Sequence, residues 1–290
     1  MSNKKAIGIP PVPAVLLSII SVQGGAAIAK GLFPVLGPAA TSSLRIGLSA
    51  IILVLFNRPN LRDLSPAQWK AVALYGLTLG AMNIVFYQAI ARIPLGLGVT
   101  LEFIGPLVLA LAGSKRALDF LWVVLAAAGI VLIAPWSNNG LDLLGVVLAL
   151  LAGAFWAGYI VMGGRISKIM DGGKAVSIGM MFATALILPF AIADGLLINF
   201  KPQMLFFGFA LALLSSAIPF TLEISALRKM PAKTFSILMS LEPAAAALSG
   251  LIFLHEYLSV YEWLAVALVV IASAGATLTR KKQEVVAPEC

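Results

Sequence analysis

Apolar runs of roughly 17 to 25 residues, the length that crosses a lipid bilayer as a helix, recur along the chain. Reading by apolar length places ten of them, near 11–29, 39–56, 68–91, 94–114, 118–135, 143–164, 175–194, 204–226, 233–254 and 260–279. One soluble core could not bury so many. Composition agrees: the 290 residues are 61% hydrophobic and 11% charged, where a soluble domain carries about a quarter charged. Mean hydropathy is +1.02. The chain reads as an all-α, polytopic membrane protein.

The net charge of +8 raises the question of nucleic acid, and its distribution answers it. With the N-terminus in the cytoplasm, all 20 Lys and Arg residues fall on the cytoplasmic side except Lys30, Arg45, Arg92 and Lys201. Positive residues collect there because they resist translocation. The basic balance therefore reports topology, with both termini cytoplasmic, and not a nucleic-acid partner. Lys4-Lys5, the apolar VPAVLLSII and the small residues GGAA have the pattern of a secretory signal. Its removal would strip the repeat described below of its opening helix, so it is read as the first span. The single Cys290 cannot form an intrachain disulfide.

Local punctuation fits these boundaries. Ser65-Pro66-Ala67-Gln68 is a capping box with proline at the first helical position, opening the third span. Ser259-Val260-Tyr261-Glu262 is another, opening the tenth, which makes Glu262 a cap. The loops are short and leave no room for a catalytic module outside the bundle.

An internal repeat organises the chain. IPLGLGVTLEFIGPLVLALAG (93–113) lies over MPAKTFSILMSLEPAAAALSG (230–250) at an offset of 137 residues. Pro94 then meets Pro231, Pro106 meets Pro243, Gly113 meets Gly250, and Arg92 faces Lys229. The offset pairs the fourth span with the ninth, so residues 1–138 and 139–290 each hold five helices. An odd number per half makes the halves enter the membrane in opposite directions. Two inverted five-helix repeats, with a site near the midplane, are an architecture of alternating-access transporters. A duplicated bundle with no transport role is the plainer alternative.

Polar residues inside the spans mark the candidate site. A charge at a helix centre costs roughly 2.5 to 3.5 kcal/mol on insertion scales and is tolerated facing other helices or a wet cavity. Glu102 lies roughly 12 Å in from Pro94 at about 1.5 Å per residue. Its face carries Gly98, Gly105 and Pro106, while Leu97, Leu101, Ile104, Val108 and Leu111 are expected to face lipid. Glu242 repeats the situation in the ninth span, directly before Pro243, which loosens the helix. The third span carries Gly76, Gly80, Asn83 and Tyr87 on one stripe. Gln23 and Lys30 share a stripe in the first span, with Lys30 either inward or snorkelling to the outer surface. Arg45 can hold a substrate carboxylate bidentately or pair with Glu102 or Glu242. Trp156 and Tyr159 are packing residues or pocket wall. Glu223 is read as a boundary ion pair with Arg228.

Catalysis lacks a constellation. His255 is the single histidine, so an HExxH metal site cannot form, and a Ser–His pair would have only this residue, at a span end. No GxxxxGK[ST] loop is present for ATP. A zwitterionic amino acid would need an anion for its ammonium, supplied by Glu102 or Glu242. It would also need a cation or helix N-terminus for its carboxylate, supplied by Arg45 or a loosened helix end.

The chain resembles the drug/metabolite transporter superfamily, specifically its ten-helix EamA-type members. The resemblance covers nearly the whole chain and is strongest in SVQGGAAIAKGLFPVLG (21–37), YGLTLGAMNIVFYQAIARIPLGLGVTLEFIGPLVLAL (75–111) and LLSSAIPFTLEISALRKMPAKTFSILMSLEPAAAALSGLIFLHE (213–256). It implies a bacterial inner-membrane protein of two inverted halves. It also implies proton-driven export of small amino acids of the threonine and homoserine kind, with no cofactor. Relatives exporting aromatic compounds or drugs keep that alternative open, as does a subunit role in a membrane complex. Carried onto this chain, the resemblance points to Glu102 and Glu242 as proton-coupling residues. The wider binding set is Gln23, Arg45, Asn83, Tyr87, Glu102, Trp156, Tyr159 and Glu242. The implied partners are the bilayer, the proton and the amino acid. One departure is visible: His255 precedes Glu256 where relatives usually have Gly, either tuning a pH response or arising by drift.

Overall fold

The computed structural model describes residues 9–112, 117–133, 142–166, 168–196, 201–227, 229–230 and 232–279. Lys4-Lys5, Arg228, Cys290 and the boundary between residues 138 and 139 lie outside them. Among the described residues the regular structure is helical throughout, the form in which a membrane-embedded backbone satisfies its own N–H and C=O groups.

Seven helical segments are long and apolar enough to cross a membrane: Pro11–Gly31, Pro38–Asn57, Pro66–Ile90, Leu143–Ile166, Gly172–Ala193, Thr234–Leu254 and Val260–Thr279. Three shorter apolar ones, Leu95–Leu109, Phe120–Leu132 and Gln203–Ser216, fall where the remaining spans were expected.

The elements are α1 (Pro11–Gly31), α2 (Phe33–Leu36), α3 (Pro38–Asn57), α4 (Pro66–Ile90), α5 (Leu95–Glu102), α6 (Ile104–Leu111) and α7 (Ala117–Ile133). They continue with α8 (Leu143–Ile166), α9 (Gly172–Ala193), α10 (Gln203–Ala212), a π-helical turn at Leu213–Ala217, and α11 (Ile218–Leu227). The last are α12 (Ala232–Met239), α13 (Glu242–Leu254) and α14 (Val260–Thr279).

Both capping boxes form. The Gln68 N–H donates to Ser65 Oγ at 3.3 Å and the Ser65 N–H to Gln68 Oε1 at 2.9 Å. The Ser259 N–H donates to Glu262 Oε2 at 2.6 Å and the Glu262 N–H to Ser259 Oγ at 3.3 Å.

Several helix contacts recur at corresponding places in the earlier and later parts of the chain. α4 lies on α8 as α11 lies on α1, α4 on α9 as α10 on α3, and α6 on α8 as α13 on α1. The pairs α3–α9 and α7–α14 map onto themselves. Small residues permit this closeness. A Cβ on Gly76 would strike the Gly179 carbonyl oxygen of α9, and one on Gly105 would strike the Gly153 carbonyl oxygen of α8.

One expectation is corrected. Leu97, Leu101 and Ile104 do not face lipid; they form a buried cluster with Val146 and Ala149 of α8 and Ala265 of α14. Leu111 is half-buried, and Val108 alone of the five is exposed. α5 is an interior helix, packed on both α8 and α13, and the protein interior is as apolar as lipid tails, so bulk alone does not mark an outer face.

Candidate functional site

A cavity of about 300 Å³ lies among α1, α3, α4, α5, α8, α9, the π-helical turn, α11 and the break between α12 and α13. All eight expected residues line it: Gln23, Arg45, Asn83, Tyr87, Glu102, Trp156, Tyr159 and Glu242. They come from six helices and from both halves of the chain.

Paired prolines place the two glutamates at helix breaks. Pro106 has no N–H, so the Glu102 carbonyl four residues earlier lacks its helical partner. The helix breaks at Phe103, between α5 and α6, and the freed carbonyl packs against Gly153, where a Cβ would collide with it. Pro243 does the same to the Met239 carbonyl. There the break falls at Ser240-Leu241, and Pro243 sits in the first turn of α13, where a missing N–H costs nothing. Pro243 therefore opens a new helix instead of loosening a continuous one. Shifted by 137 residues, α5 falls on α12 end to end.

Glu102 is 7% exposed and Glu242 8%. Neither carboxylate has a hydrogen bond or ion pair among the described residues. Both border the cavity, so its contents are their available partners.

Arg45 is held from two sides. Its Nη2 donates to Asn83 Oδ1, and its guanidinium lies 5.2 Å from the Tyr87 ring centroid. Asn83 Nδ2 donates to the Leu79 carbonyl at 2.8 Å, fixing the amide. Arg45 makes no ion pair with Glu102 or Glu242, which answers one alternative read from the sequence. Its Nε, the Gln23 Oε1 and the Tyr87 hydroxyl are buried without hydrogen-bond partners among the described residues. Trp156 packs edge-on against Phe103 with ring centroids 5.2 Å apart. Tyr159 and Tyr75 share a hydroxyl contact of 3.1 Å. The described residues contain no group of three or more His, Cys, Asp or Glu that could hold a metal ion.

Comparison with known proteins places this geometry. Residues 143–278 match the EamA-like transporter family. Threonine/homoserine exporter RhtA of Escherichia coli K12 is 41% identical over 275 residues, 94% of this chain and 93% of that protein. The chain belongs to the EamA-like transporter family. The resemblance to the drug/metabolite transporter superfamily read from the sequence therefore holds. RhtA of Salmonella typhimurium LT2 is 40% identical with the same coverage. Uncharacterized transporter YwfM of Bacillus subtilis 168 is 26% identical over 83% of this chain and 84% of its own. A solved crystal structure at 17% identity covers 92% of this chain and 98% of its own with a TM-score of 0.59; it shares the fold.

One expectation about this EamA-like transporter changes. Lys30 neither enters the cavity nor snorkels freely: it pairs with Glu256 and donates to the Ile93 carbonyl at 2.7 Å. The suggested partner of Glu223, Arg228, lies outside the described residues; Glu223 borders the cavity. There it accepts the Ser18 hydroxyl at 2.5 Å. His255 lies away from the cavity, at the C-cap of α13 with φ of 54°. That left-handed conformation explains why glycine suits the position.

Tyr75, Ser215, Ser216 and Glu223 also line the cavity of this EamA-like transporter and were not singled out as site residues. Tyr75 had a signal, since it shares a helical stripe with Leu79, Met82 and Phe86 of the same wall. The serines and Glu223 had only Pro219, whose missing N–H widens the preceding turn. The Ile218 N–H bonds five residues back to the Leu213 carbonyl, the signature of a π turn.

Proposed function

We propose that this EamA-like transporter exports small amino acids of the threonine and homoserine kind across the bacterial inner membrane by proton-coupled antiport. The observation that carries the reading is the cavity itself. Two carboxylates without a hydrogen bond or ion pair among the described residues, and one arginine, converge there from the earlier and later parts of the chain. The names of the relatives at 40 and 41% identity, threonine/homoserine exporters, support the substrate class.

The substrate's ammonium sits against Glu102 or Glu242 and its carboxylate against Arg45. One carboxylate can hold a proton or an ammonium, not both. Proton entry from outside therefore displaces substrate, and substrate entry from the cytoplasm displaces the proton. Ten spans as two inverted five-helix halves, with both termini cytoplasmic, make the cavity open alternately to either side. The paired helix contacts and the matched breaks at Phe103 and Ser240 support that architecture.

The aromatic wall of Tyr75, Phe86, Tyr87, Trp156 and Tyr159 favours a second reading, export of aromatic metabolites. Purified protein in liposomes loaded with labelled threonine or homoserine separates them. Efflux should rise with an imposed proton gradient and lose that stimulation in Glu102→Gln or Glu242→Gln. Stimulation retained by both variants removes the glutamates from coupling. Efflux of aromatic compounds alone replaces the amino-acid reading with the second one.

A further inference from the structure

We infer that Gln23 reads the side-chain hydroxyl of the transported amino acid, so that the cavity favours hydroxylated amino acids over their methyl isosteres. The inference rests on the amino-acid reading above and adds to it a basis for selection.

A buried polar atom without a partner costs about as much as a lost hydrogen bond, so such an atom at a cavity wall gains from any ligand that supplies the bond. Three such atoms belong to residues lining this cavity: Gln23 Oε1, Arg45 Nε and the Tyr87 hydroxyl. Gln23 is 3% exposed and Tyr87 2%. The chemistry of each atom restricts what it takes. Arg45 Nε only donates, and the substrate carboxylate is the strongest acceptor available to it. Tyr87 can donate to the same carboxylate. Gln23 Oε1 only accepts, so it needs a donor.

A small amino acid brings two kinds of donor, an ammonium and, where present, a hydroxyl. The ammonium is drawn to Glu102 and Glu242, because a charge-assisted bond is roughly twice as strong as one to a neutral amide oxygen. The hydroxyl then falls to Gln23. Two of the competing groups are already engaged: both ends of the Asn83 amide are bonded, and the Ser216 hydroxyl is 3.0 Å from that of Ser49. Turning the Gln23 amide by half a turn would present its NH2 instead, and a hydroxyl accepts from that equally well. A methyl group serves neither orientation. A site with a buried polar group aimed at a substrate hydroxyl discriminates strongly against the analogue that lacks it.

Threonine and valine differ by hydroxyl against methyl, and they make the test. The full chain in liposomes is loaded with either labelled amino acid, and efflux is followed for native protein and for Gln23→Met, which keeps the side chain's length without its amide. Native protein should move threonine faster than valine by at least about tenfold, the scale of leaving one buried acceptor unpaired. In Gln23→Met that ratio should fall toward unity. Competition in the native protein gives an independent readout: unlabelled threonine and homoserine should slow labelled threonine efflux at lower concentrations than valine. A native preference that survives in Gln23→Met, or valine competing as well as threonine, overturns the inference while leaving amino-acid export intact. Efflux of neither amino acid from native protein overturns both.

Discussion

The Leu95 backbone N–H donates to Glu256 Oε2 at 2.7 Å, so a carboxylate from the second half caps the first turn of a helix in the first half. The other oxygen of Glu256 pairs with Lys30. One side chain thus ties the end of α1, the start of α5 and the end of α13. Glu256→Ala should lower the unfolding free energy by about 1.5–3 kcal/mol, the range for hydrogen bonds to charged groups, read as a lower Tm in detergent. Glu256→Gln keeps an acceptor for Leu95 and should lose less. Equal losses from the two variants would show that the ion pair matters and the cap does not.

Gly105→Ala should be poorly tolerated. Its Cβ would meet the carbonyl oxygen, carbonyl carbon and Cα of Gly153, all backbone, so no rotamer change relieves the clash. Overpacking of this kind costs about 1–3 kcal/mol. Gly24→Ala is the control, because nothing lies within 4 Å of its added Cβ and alanine is the better helix former. Thermal unfolding of both should show a loss for the first and none for the second; matched Tm values would contradict the tight α6–α8 contact.

His255→Gly should stabilise the protein by about 1 kcal/mol, since a left-handed non-glycine residue carries strain of roughly that size. Transport by this variant should follow pH as native protein does, because His255 lies away from the cavity. A changed pH profile of efflux would revive a sensing role for the histidine.

Arg45→Lys should raise KM for amino-acid efflux by about tenfold or more. An ammonium retains the charge but loses the planar fork that bonds Asn83 and leaves Nε for a ligand. An unchanged KM would remove Arg45 from carboxylate binding.

Much of this site was legible because charge is scarce in the spans. Glu102, Glu242 and Arg45 stand out against apolar neighbours, and Asn83 and Tyr87 follow from the glycine stripe that carries α4 against α9. The partners were less legible. Lys30 and Glu256 meet only through the bundle, from opposite ends of the sequence. The bulky side of α5 gave no sign of its burial, because lipid and protein interior are equally apolar. Glu223 lay close to a basic residue in sequence, and that proximity suggested a boundary pair; its place at the cavity follows a helix that departs from regular spacing.

That departure sets which way the end of the eighth span points. Each residue of an α-helix advances the chain by about 100° around its axis. The extra residue in the wide turn at Leu213–Ala217 therefore rotates everything after it relative to everything before. α10 shows Phe206, Phe207 and Phe209 on the outside, while α11 turns Pro219 and Glu223 toward the cavity. Removing one residue between Leu213 and Ala217 would leave every side chain of α10 and α11 as it is and still swing that carboxylate out of the wall.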